Sequence, residues 1–395
     1  CIVINTCAIR EHAEQKALST IGQYKHLKAK NSELVIAVCG CMTAQAHRVE
    51  ELKNSYPYVD FTFEPSVLDR FPEYLCEVLD RHRRGFHIGE AAGEIREGVP
   101  ILRTGSTKAW VSIMYGCNNF CSYCIVPYVR DRERSRDYHF VLDEVRDVVA
   151  AGAKDVTLLG QNVNSFAGGC SFAELIEKIS EIDGDFRLRF MTSHPKDVSD
   201  ELIAAIAKSR NAARHFHLPL QSGSSRVLKE MNRHYDKEHY LALVEKIKKA
   251  MPDLAITTDI IVGFPGETEE DFLETMDVVR QVEYDSAFTF IYSKRTGTPA
   301  AKMEDPTPRE TIQRRFDELV DIVQEGAHEQ NQRFAGRVLD VLVEGTSKRD
   351  EDVLAGRSPH NVTVHAPIPA GKTIDELEGT IVKVRIDESL TWYLS

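Results

Sequence analysis

The chain has 395 residues, and its 42% of hydrophobic and 28% of charged residues are typical of globular proteins, which excludes a disordered or fibrous chain. Its 49 basic and 61 acidic residues give a net charge of −12, which excludes binding to nucleic acid through overall charge alone. No apolar run approaches the ~18 residues that cross a bilayer, so we expect no membrane contact.

Residues 1–100 predict a small α/β domain with parallel strands. Its strands and helices alternate in chain order at 2–5, 8–30, 34–38, 43–54 and 59–63. Because the chain begins inside the first of these strands, we expect this domain to be truncated at its start. Cys7 and Cys41 each follow a predicted strand directly. Ligands bind at the C-terminal strand edge of open α/β sheets, so both cysteines are candidate ligand-binding residues.

Residues 101–331 predict a second domain of repeated βα units, which follows a Gly-rich linker at 87–108. Predicted strands lie at 110–115, 155–160, 186–192, 214–219, 255–262 and 286–292. Predicted helices lie at 139–151, 171–182, 198–208, 236–250, 268–282 and 308–331. Six βα units predict a partial or full parallel barrel with its chemistry on the loops after the strands.

The pattern changes again over residues 332–395. Short β runs lie at 337–345, 361–366, 379–386 and 390–394, and they predict a small all-β barrel. The fold class is therefore α/β with three predicted domains: an N-terminal α/β domain at 1–100, a barrel at 101–331 and the all-β domain at 332–395.

The strongest chemical signal is the loop Cys117-Asn-Asn-Phe-Cys121-Ser-Tyr-Cys124, directly after a predicted strand. Thiolates are soft ligands that suit iron–sulfur clusters or zinc. Three of them can hold three irons of a [4Fe–4S] cube and leave the fourth iron open for a substrate. A structural zinc site is normally closed by a fourth Cys or His, and the loop contains no His. The open cluster is favoured, zinc is the alternative, and the thiol cluster indicates a reducing, cytoplasmic location.

This loop, with Tyr123 before its last cysteine, resembles the radical S-adenosylmethionine superfamily. Further segments resemble the methylthiotransferases of that superfamily, and the resemblance covers essentially the whole chain. Segments 161–165, 191–195 and 217–224 (QNVNS, MTSHP and HLPLQSGS) point to the MiaB-type branch. The other matching segments are 5–11, 40–42, 124–130, 132–136, 259–268 and 292–298.

The resemblance implies a fold of three parts: an N-terminal cluster domain, a radical S-adenosylmethionine barrel and a C-terminal TRAM domain. It implies S-adenosyl-L-methionine and two [4Fe–4S] clusters as cofactors, one of them held by Cys117, Cys121 and Cys124. The other, auxiliary cluster is held by three cysteines of the N-terminal domain. Two of these map onto Cys7 and Cys41, and the third belongs to a segment upstream of Cys1.

The implied reaction adds a methylthio group to C2 of N6-isopentenyladenosine at position 37 of transfer RNA. The hydrogen at C2 is not acidic and C2 carries no leaving group, so general acid–base catalysis cannot activate this position. Radical chemistry is therefore expected. The implied partners are the tRNA anticodon stem-loop and an electron donor such as flavodoxin or ferredoxin, and we expect a monomer. Two alternatives remain: a sister enzyme acting on threonylcarbamoyladenosine or a ribosomal aspartate, and a non-catalytic iron–sulfur protein that binds RNA.

The resemblance also assigns residues beyond the metal ligands, and it implies no catalytic side chain apart from those ligands. The predicted cofactor-binding residues are Tyr123, Gln161, Asn162, Ser193, His194, Gln221, Ser222 and Gly263. The predicted RNA-binding residues are Arg130, Arg132, Arg134, Arg136 and Arg295, although a solvated charged loop is the alternative for the first four. Asp131 stands where the family usually has Gly, and Asp tolerates a positive φ better than most residues.

Overall fold

The computed structural model describes residues 1–8, 11–89, 95–98, 101–103, 105 and 107–395. This part of the chain forms two compact units. The first unit comprises Cys1–Val99, Tyr115–Arg134 and Ser293–Lys302, and the second comprises Pro100–Met114, Ser135–Tyr292 and Met303–Ser395. Among the helices of the described residues, none is both long enough and apolar enough to cross a membrane.

The first unit contains a four-stranded sheet in which every neighbouring pair is parallel. Its strands, in spatial order, are β1 (Ile2–Thr6), β2 (Ile36–Gly40), β3 (Phe61–Phe63) and β4 (Gly85–Phe86). Its helices are α1 (Glu11–Gln23), α2 (Lys25–Lys30), α3 (Ala46–Ser55) and α4 (Phe71–Arg81). The α/β fold with parallel strands predicted for this region is thereby confirmed, but the single helix predicted at 8–30 is two helices, and residues 9–10 of that prediction lie outside the described part.

Both faces of this small sheet are covered. Ile36 and Val38 of β2 pack into one apolar cluster, whereas Ala37 and Cys39 pack into another with Phe61. Alternate residues of a strand point to opposite faces, so a strand buried on both sides reads as a continuous apolar run. α4 and β4 are not predicted from the sequence, and β4 has only two residues. The predicted linker at 87–108 falls partly on residues 90–94, 99–100, 104 and 106, which lie outside the described part.

The second unit contains six parallel barrel strands in two sheets. The strand order of the first sheet is β5 (Lys108–Ser112), β8 (Asp155–Leu159) and β9 (Arg187–Phe190). The strand order of the second sheet is β10 (His215–His217), β11 (Ala255–Val262) and β12 (Ser286–Ile291). A parallel bridge between Leu188 and Ala212 links the two sheets, so β5 and β12 form the two outer edges. Of the two predicted forms of the barrel, the structure has the partial one. Two short strands, β6 (Met114–Tyr115) and β7 (Arg134–Ser135), lie between β5 and β8 in the chain.

Helices follow the strands as predicted. Their bounds are α5 (Val126–Val129), α6 (Tyr138–Ala150), α7 (Phe172–Ser180), α8 (Asp200–Lys208), α9 (Ser225–Glu230), α10 (Lys237–Ala250), α11 (Glu269–Val282) and α12 (Arg309–Gln332). Side-chain caps fix where several of them begin: Ser171 and Thr268 form capping boxes at α7 and α11. The short helices α5 and α9 are not predicted from the sequence, because four to six residues show too little apolar periodicity.

The C-terminal part of the second unit is a five-stranded sheet with one short helix, α13 (Ile374–Leu377). Its order is β16 (Ile381–Arg385), β13 (Val338–Ser347), β14 (Asp350–Arg357), β15 (Thr363–Pro367) and β17 (Tyr393–Leu394). All pairs are antiparallel except β15 with β17. Arg187, at the start of β9, donates hydrogen bonds to the carbonyl oxygens of Asp340 (2.6 Å) and Arg357 (2.7 Å), which attaches this sheet to the barrel strands.

Two candidate cysteine centres and the barrel strand ends

The first candidate centre is the cysteine loop that begins directly after β6. Gly116 has a φ of +73°, and a Cβ at this position would lie 2.1 Å from the carbonyl oxygen of Arg132, so only glycine fits. The N–H of Cys117 donates to the carbonyl oxygen of Asp131 at 3.2 Å. Asp131 itself has a φ of +62°, which is the conformation expected where Asp replaces a family glycine. The loop therefore closes on itself, and Asp131–Arg132 lie beside its first cysteine.

The thiols of this loop are sheltered from solvent. Cys117 and Cys121 are buried and Cys124 is half-buried. The N–H of Asn119 is directed at the Sγ of Cys117 at 3.5 Å, and a turn joins the N–H of Cys124 to the carbonyl oxygen of Cys121. Backbone N–H groups directed at sulfur are a feature of iron–sulfur sites, where they stabilise the charged ligands.

The donor set of this loop suits a cube better than a single ion. A structural zinc needs four ligands on one atom, whereas each thiolate of a cube binds a different iron. Cys117, Cys121 and Cys124 therefore fit a cluster that keeps one iron open.

The second candidate centre lies in the same unit, at the C-terminal edge of β1 and β2. The register of these strands pairs Thr6 with Gly40, so the next residues, Cys7 and Cys41, leave neighbouring strands side by side. The N–H of Cys41 donates to the carbonyl oxygen of Thr6 at 3.1 Å. Gly40 has a φ of +99°, and a Cβ there would lie 2.2 Å from the same oxygen. The parallel register thus brings together two cysteines that are far apart in sequence.

Cys39 does not join this centre, although it is two residues from Cys41. Its side chain packs with Phe61, Phe63 and Tyr74 on one face of the sheet. Burial raises the pKa of the Cys39 thiol to about 11, against the opposing effect of the Arg130 charge. A thiol that remains protonated and packed among aromatic rings is unsuited to bind a metal.

The side chain that reaches Cys41 comes from the cysteine loop. Ile125 and Val129 pack with Ala8 and Cys41 in one apolar cluster. Arg130, which ends α5, donates from Nε to the Sγ of Cys41 at 3.0 Å. The sequence assigns Arg130 to RNA together with the arginines that follow it, and no local pattern separates it from them. Only the fold reveals its contact with Cys41.

The other predicted RNA-binding residues lie in different surroundings. Arg132 is exposed, and its guanidinium lies over the Phe120 ring at 4.4 Å. Arg134 and Arg295 are half-buried. Arg136 is buried in the second unit, where it donates to the Ser112 carbonyl oxygen and to the Glu144 carboxylate at 2.6 Å. These placements leave the RNA contacts as predictions, with Arg132 as the most accessible of the five predicted RNA-binding arginines.

The predicted cofactor residues of the second unit lie just after the barrel strands. Asn162 follows β8 and is buried, and its side chain donates to Asp197 at 2.7 Å and accepts from the N–H of His194 at 3.1 Å. Gln161 beside it is half-buried. Asn162 therefore ties the loop after β8 to the loop after β9. Tyr123 lies in the first unit and is half-buried.

The loop after β9 carries buried polar atoms that lack a partner. Ser193 and His194 are buried, and the Oγ of Ser193 and the Nε2 of His194 have no hydrogen-bond partner among the described residues. Burial first, then the charge of Arg233, lowers the pKa of His194 to about 2, so its imidazole is neutral. Its Nδ1 accepts from the N–H of Lys196, so Nε2 carries the proton as an unused donor. Buried polar groups without partners are rare and often mark ligand sites.

The loops after β10 and β11 are held in unusual backbone conformations. Gln221 has a φ of +69°, and Ser222 is fully buried with its Oγ accepting from the N–H of Ser224. Gly263 has a φ of +72°, and its N–H donates to a carboxylate oxygen of Glu267 at 2.8 Å. Positive φ at a residue other than glycine is strained and concentrates at functional sites.

Glu267 is a supporting residue that the sequence motifs contain but do not explain. It is buried, and burial raises the pKa of its carboxyl to about 7, although Arg315 of α12 lowers it. Arg315 lies 3.4 Å from it and also donates to Glu269 at 3.0 Å. This buried pair fixes the turn at Gly263 from a helix that lies 48 residues further along the chain.

Comparisons with known proteins agree with these features. A family model described as the radical SAM superfamily matches residues 111–279, and one described as the uncharacterized protein family UPF0004 matches residues 1–64. The chain is similar to proteins named tRNA-2-methylthio-N(6)-dimethylallyladenosine synthase. It is 49% identical to that of Clostridioides difficile (strain 630), over 100% of this chain and 82% of the relative. It is 49% identical to that of Carboxydothermus hydrogenoformans, over 100% and 89%.

Solved structures with a similar fold are more distant. A radical S-adenosylmethionine methyltransferase, TsrM, from Kitasatospora setae, solved with cobalamin and a [4Fe-4S] cluster, aligns with a TM-score of 0.57 at 16% identity over 76% of this chain and 64% of its own. The cobalamin-dependent S-adenosylmethionine radical enzyme OxsB aligns with a TM-score of 0.52 at 13% identity over 82% of this chain and 47% of its own. At such identities the likeness concerns the fold alone.

Proposed function

The chain belongs to the family of the tRNA-2-methylthio-N(6)-dimethylallyladenosine synthases, and we propose that it transfers a methylthio group to C2 of N6-isopentenyladenosine at position 37 of tRNA. One observation carries this proposal. A loop of three sheltered cysteines stands directly after a strand in a chain that is about half identical to these enzymes over its whole length. Cys117, Cys121 and Cys124 would hold the [4Fe–4S] cluster. When bound, this cluster and S-adenosyl-L-methionine supply one-electron chemistry for a C–H bond that acids and bases do not activate.

The barrel strand ends support binding of S-adenosyl-L-methionine by this chain. The Nε2–H of neutral His194 is a buried donor and the Oγ of Ser193 a buried donor or acceptor, and both need a partner. A cofactor with amino, carboxylate and hydroxyl groups supplies such partners. Gln161, Gln221, Ser222 and the backbone at Gly263 are the further proposed contacts, and Asn162 orients His194. Tyr123 is proposed from the family motif alone.

The auxiliary cluster is a separate part of the proposal. Cys7 and Cys41 directly follow the paired residues Thr6 and Gly40 of two neighbouring parallel strands, and this supports their assignment as two ligands of one cube. The third proposed ligand is the one that the family resemblance implies for a segment upstream of Cys1. We further propose that the all-β sheet at 338–394 is the TRAM domain, that Arg132 contacts the tRNA backbone, and that the enzyme acts in the cytoplasm as a monomer supplied with electrons by flavodoxin or ferredoxin.

The proposed activity is tested by mass spectrometry of tRNA nucleosides from a deletion strain, with and without the restored gene. The deletion strain should lack 2-methylthio-N6-isopentenyladenosine and accumulate N6-isopentenyladenosine. The strain with the restored gene should regain the methylthio form. Loss of the methylthio form of threonylcarbamoyladenosine instead would assign the chain to the sister branch. Reduced, reconstituted protein should also release 5′-deoxyadenosine, whereas a non-catalytic iron–sulfur protein would bind RNA without this product.

A further inference from the structure

We propose that Arg130 is a positioning residue of the second cysteine centre, where its guanidinium holds the Cys41 sulfur and stabilises the reduced form of a cluster bound there. This inference rests on the proposed function in one respect, the presence of an auxiliary cluster at Cys7 and Cys41. It changes the role that the sequence pattern gives to Arg130, because its Nε donates to a ligand sulfur.

Arg130 and Cys41 are each held in place where they meet. Arg130 is half-buried, and its Nε donates to the Sγ of Cys41 at 3.0 Å. Cys41 is fully buried at the end of β2, where its N–H is fixed by the Thr6 carbonyl oxygen. The N–H of Arg130 is fixed in turn by the carbonyl oxygen of Val126 at 2.9 Å. The backbones of both partners are therefore fixed by hydrogen bonds next to the contact.

Apolar packing explains why Arg130 is directed at this sulfur. Ile125, which precedes α5, and Val129, its last residue, are 4% and 5% exposed and pack on Ala8 and Cys41. The segment from Cys124 to Arg130 is thereby held against the second centre, so a single short stretch connects a ligand of the first centre to a contact of the second.

The positive charge of Arg130 lies at the Cys41 sulfur, because its Nε donates there at 3.0 Å. A cluster bound through thiolates is negatively charged, and reduction adds one more electron. An N–H donor to a ligand sulfur and a nearby positive charge both favour the reduced state, and contacts behind the ligands also orient them. Removal of Arg130 should therefore favour the oxidised state.

The test isolates the second centre. In protein that carries Cys117→Ala, Cys121→Ala and Cys124→Ala, iron and sulfide are reconstituted anaerobically and quantified. The reduced fraction is then read by electron paramagnetic resonance at a fixed potential set with a chemical reductant. Arg130→Gln should lower the reduced-to-oxidised ratio about tenfold, the size expected for one charged hydrogen bond. Arg130→Lys keeps the charge but not the planar donor geometry, so its shift should be smaller.

Arg132→Gln is the matched control, since this neighbouring guanidinium lies over Phe120. The ratio of reduced to oxidised cluster in this variant should equal that of the protein in which only Cys117, Cys121 and Cys124 are replaced. An Arg130→Gln ratio unchanged at equal iron content overturns the inference while leaving the auxiliary cluster in place. A background protein without iron overturns both the auxiliary cluster and this inference, whereas the methylthiolation proposal is decided separately on tRNA nucleosides.

A second measurement tests whether Arg130 contacts RNA. Binding of an anticodon stem-loop by fluorescence anisotropy, at two salt concentrations, should change less than twofold in Arg130→Gln, because its guanidinium contacts sulfur. A loss of affinity and of salt dependence as large as that of Arg132→Gln would make Arg130 a phosphate contact and overturn the inference.

Discussion

The two candidate cysteine centres of the first unit are built in different ways. Cys117, Cys121 and Cys124 lie within eight residues, and one loop with one obligatory glycine arranges them. Cys7 and Cys41 are adjacent only because β1 and β2 pair in a particular parallel register, and their neighbour Arg130 arrives from 89 residues further along the chain. A centre made by one loop is visible in sequence spacing. A centre made by strand pairing becomes visible only with the fold.

The largest expected effect comes from breaking the loop centre at a ligand. Cys121→Ala should abolish 5′-deoxyadenosine release, because the open iron needs all three thiolates, and should lower the iron content by one cube. Cys170→Ala, a half-buried cysteine of the second unit, is the control and should retain both. Chromatography of the reaction products and iron analysis measure the two effects. Full product release by Cys121→Ala would contradict the assignment.

Substitution of the glycine next to each centre should affect that centre alone. Gly116→Ala and Gly40→Ala each place a Cβ about 2 Å from a carbonyl oxygen at a positive φ. Each should destabilise the protein by about 3–4 kcal/mol in chemical denaturation, with iron lost from the first centre in one case and the second in the other. Gly266→Ala, at a φ of +77° where no described residue lies within 4 Å of the added Cβ, should cost only about 1 kcal/mol. Equal costs at all three positions would show that the close approaches do not matter.

A third prediction extends the comparison to the barrel, where Glu267 fixes the turn at Gly263 and is itself paired with distant Arg315. Its folded pKa of about 7 lies above the ordinary 4.5, so the native state binds the proton more tightly than the unfolded state. Stability from this group is therefore present at low pH and falls as pH rises from about 4.5 to 7, by roughly 2–3 kcal/mol.

Glu267→Gln should remove that fall from the unfolding free energy measured between pH 5 and pH 8. The exposed Glu270→Gln is the control and should keep the wild-type slope. A Glu267→Gln variant with the same pH dependence as wild type would mean that the carboxyl is not the group responsible.

The smallest expected change in stability concerns His194. His194→Asn keeps an acceptor for the N–H of Lys196 and removes the buried Nε2 donor. The unfolding free energy should change by less than about 1 kcal/mol, because the lost packing is offset by removal of an unpaired group. Binding of S-adenosyl-L-methionine, measured by calorimetry, should weaken about tenfold. Unchanged binding would remove His194 from the cofactor site.

Much of the fold follows from local pattern, and the exceptions have physical causes. The barrel strands and their long helices are predicted because each buries one continuous apolar stripe. β4 is missed because two residues carry no periodicity, and β14 because it begins Asp350-Glu351-Asp352, an acidic sequence unfavourable for strands that only pairing with β13 and β15 makes extended. The break between α1 and α2 at Tyr24 follows Gly22 by two residues, but a single glycine inside a helical pattern is too weak a signal to predict a break.

The candidate site also combines features that follow from the sequence with contacts that only the fold reveals. The cysteine loop, the paired strand ends and the positive φ at Asp131 follow from sequence and resemblance. The contacts of Arg130 with Cys41, of Arg136 with Glu144 and of Glu267 with Arg315 do not, because each joins distant parts of the chain or selects one arginine from several similar ones. Charge counts along the sequence do not distinguish a buried, paired arginine from an exposed one.

The most direct test of the central claim is the electron paramagnetic resonance spectrum of the reduced Cys41→Ala protein, which retains only the loop centre, recorded with and without S-adenosyl-L-methionine. A cube with one open iron predicts a spectrum that shifts when the cofactor binds to that iron. Identical spectra at saturating cofactor, or a loop that holds zinc in place of iron, would contradict the account.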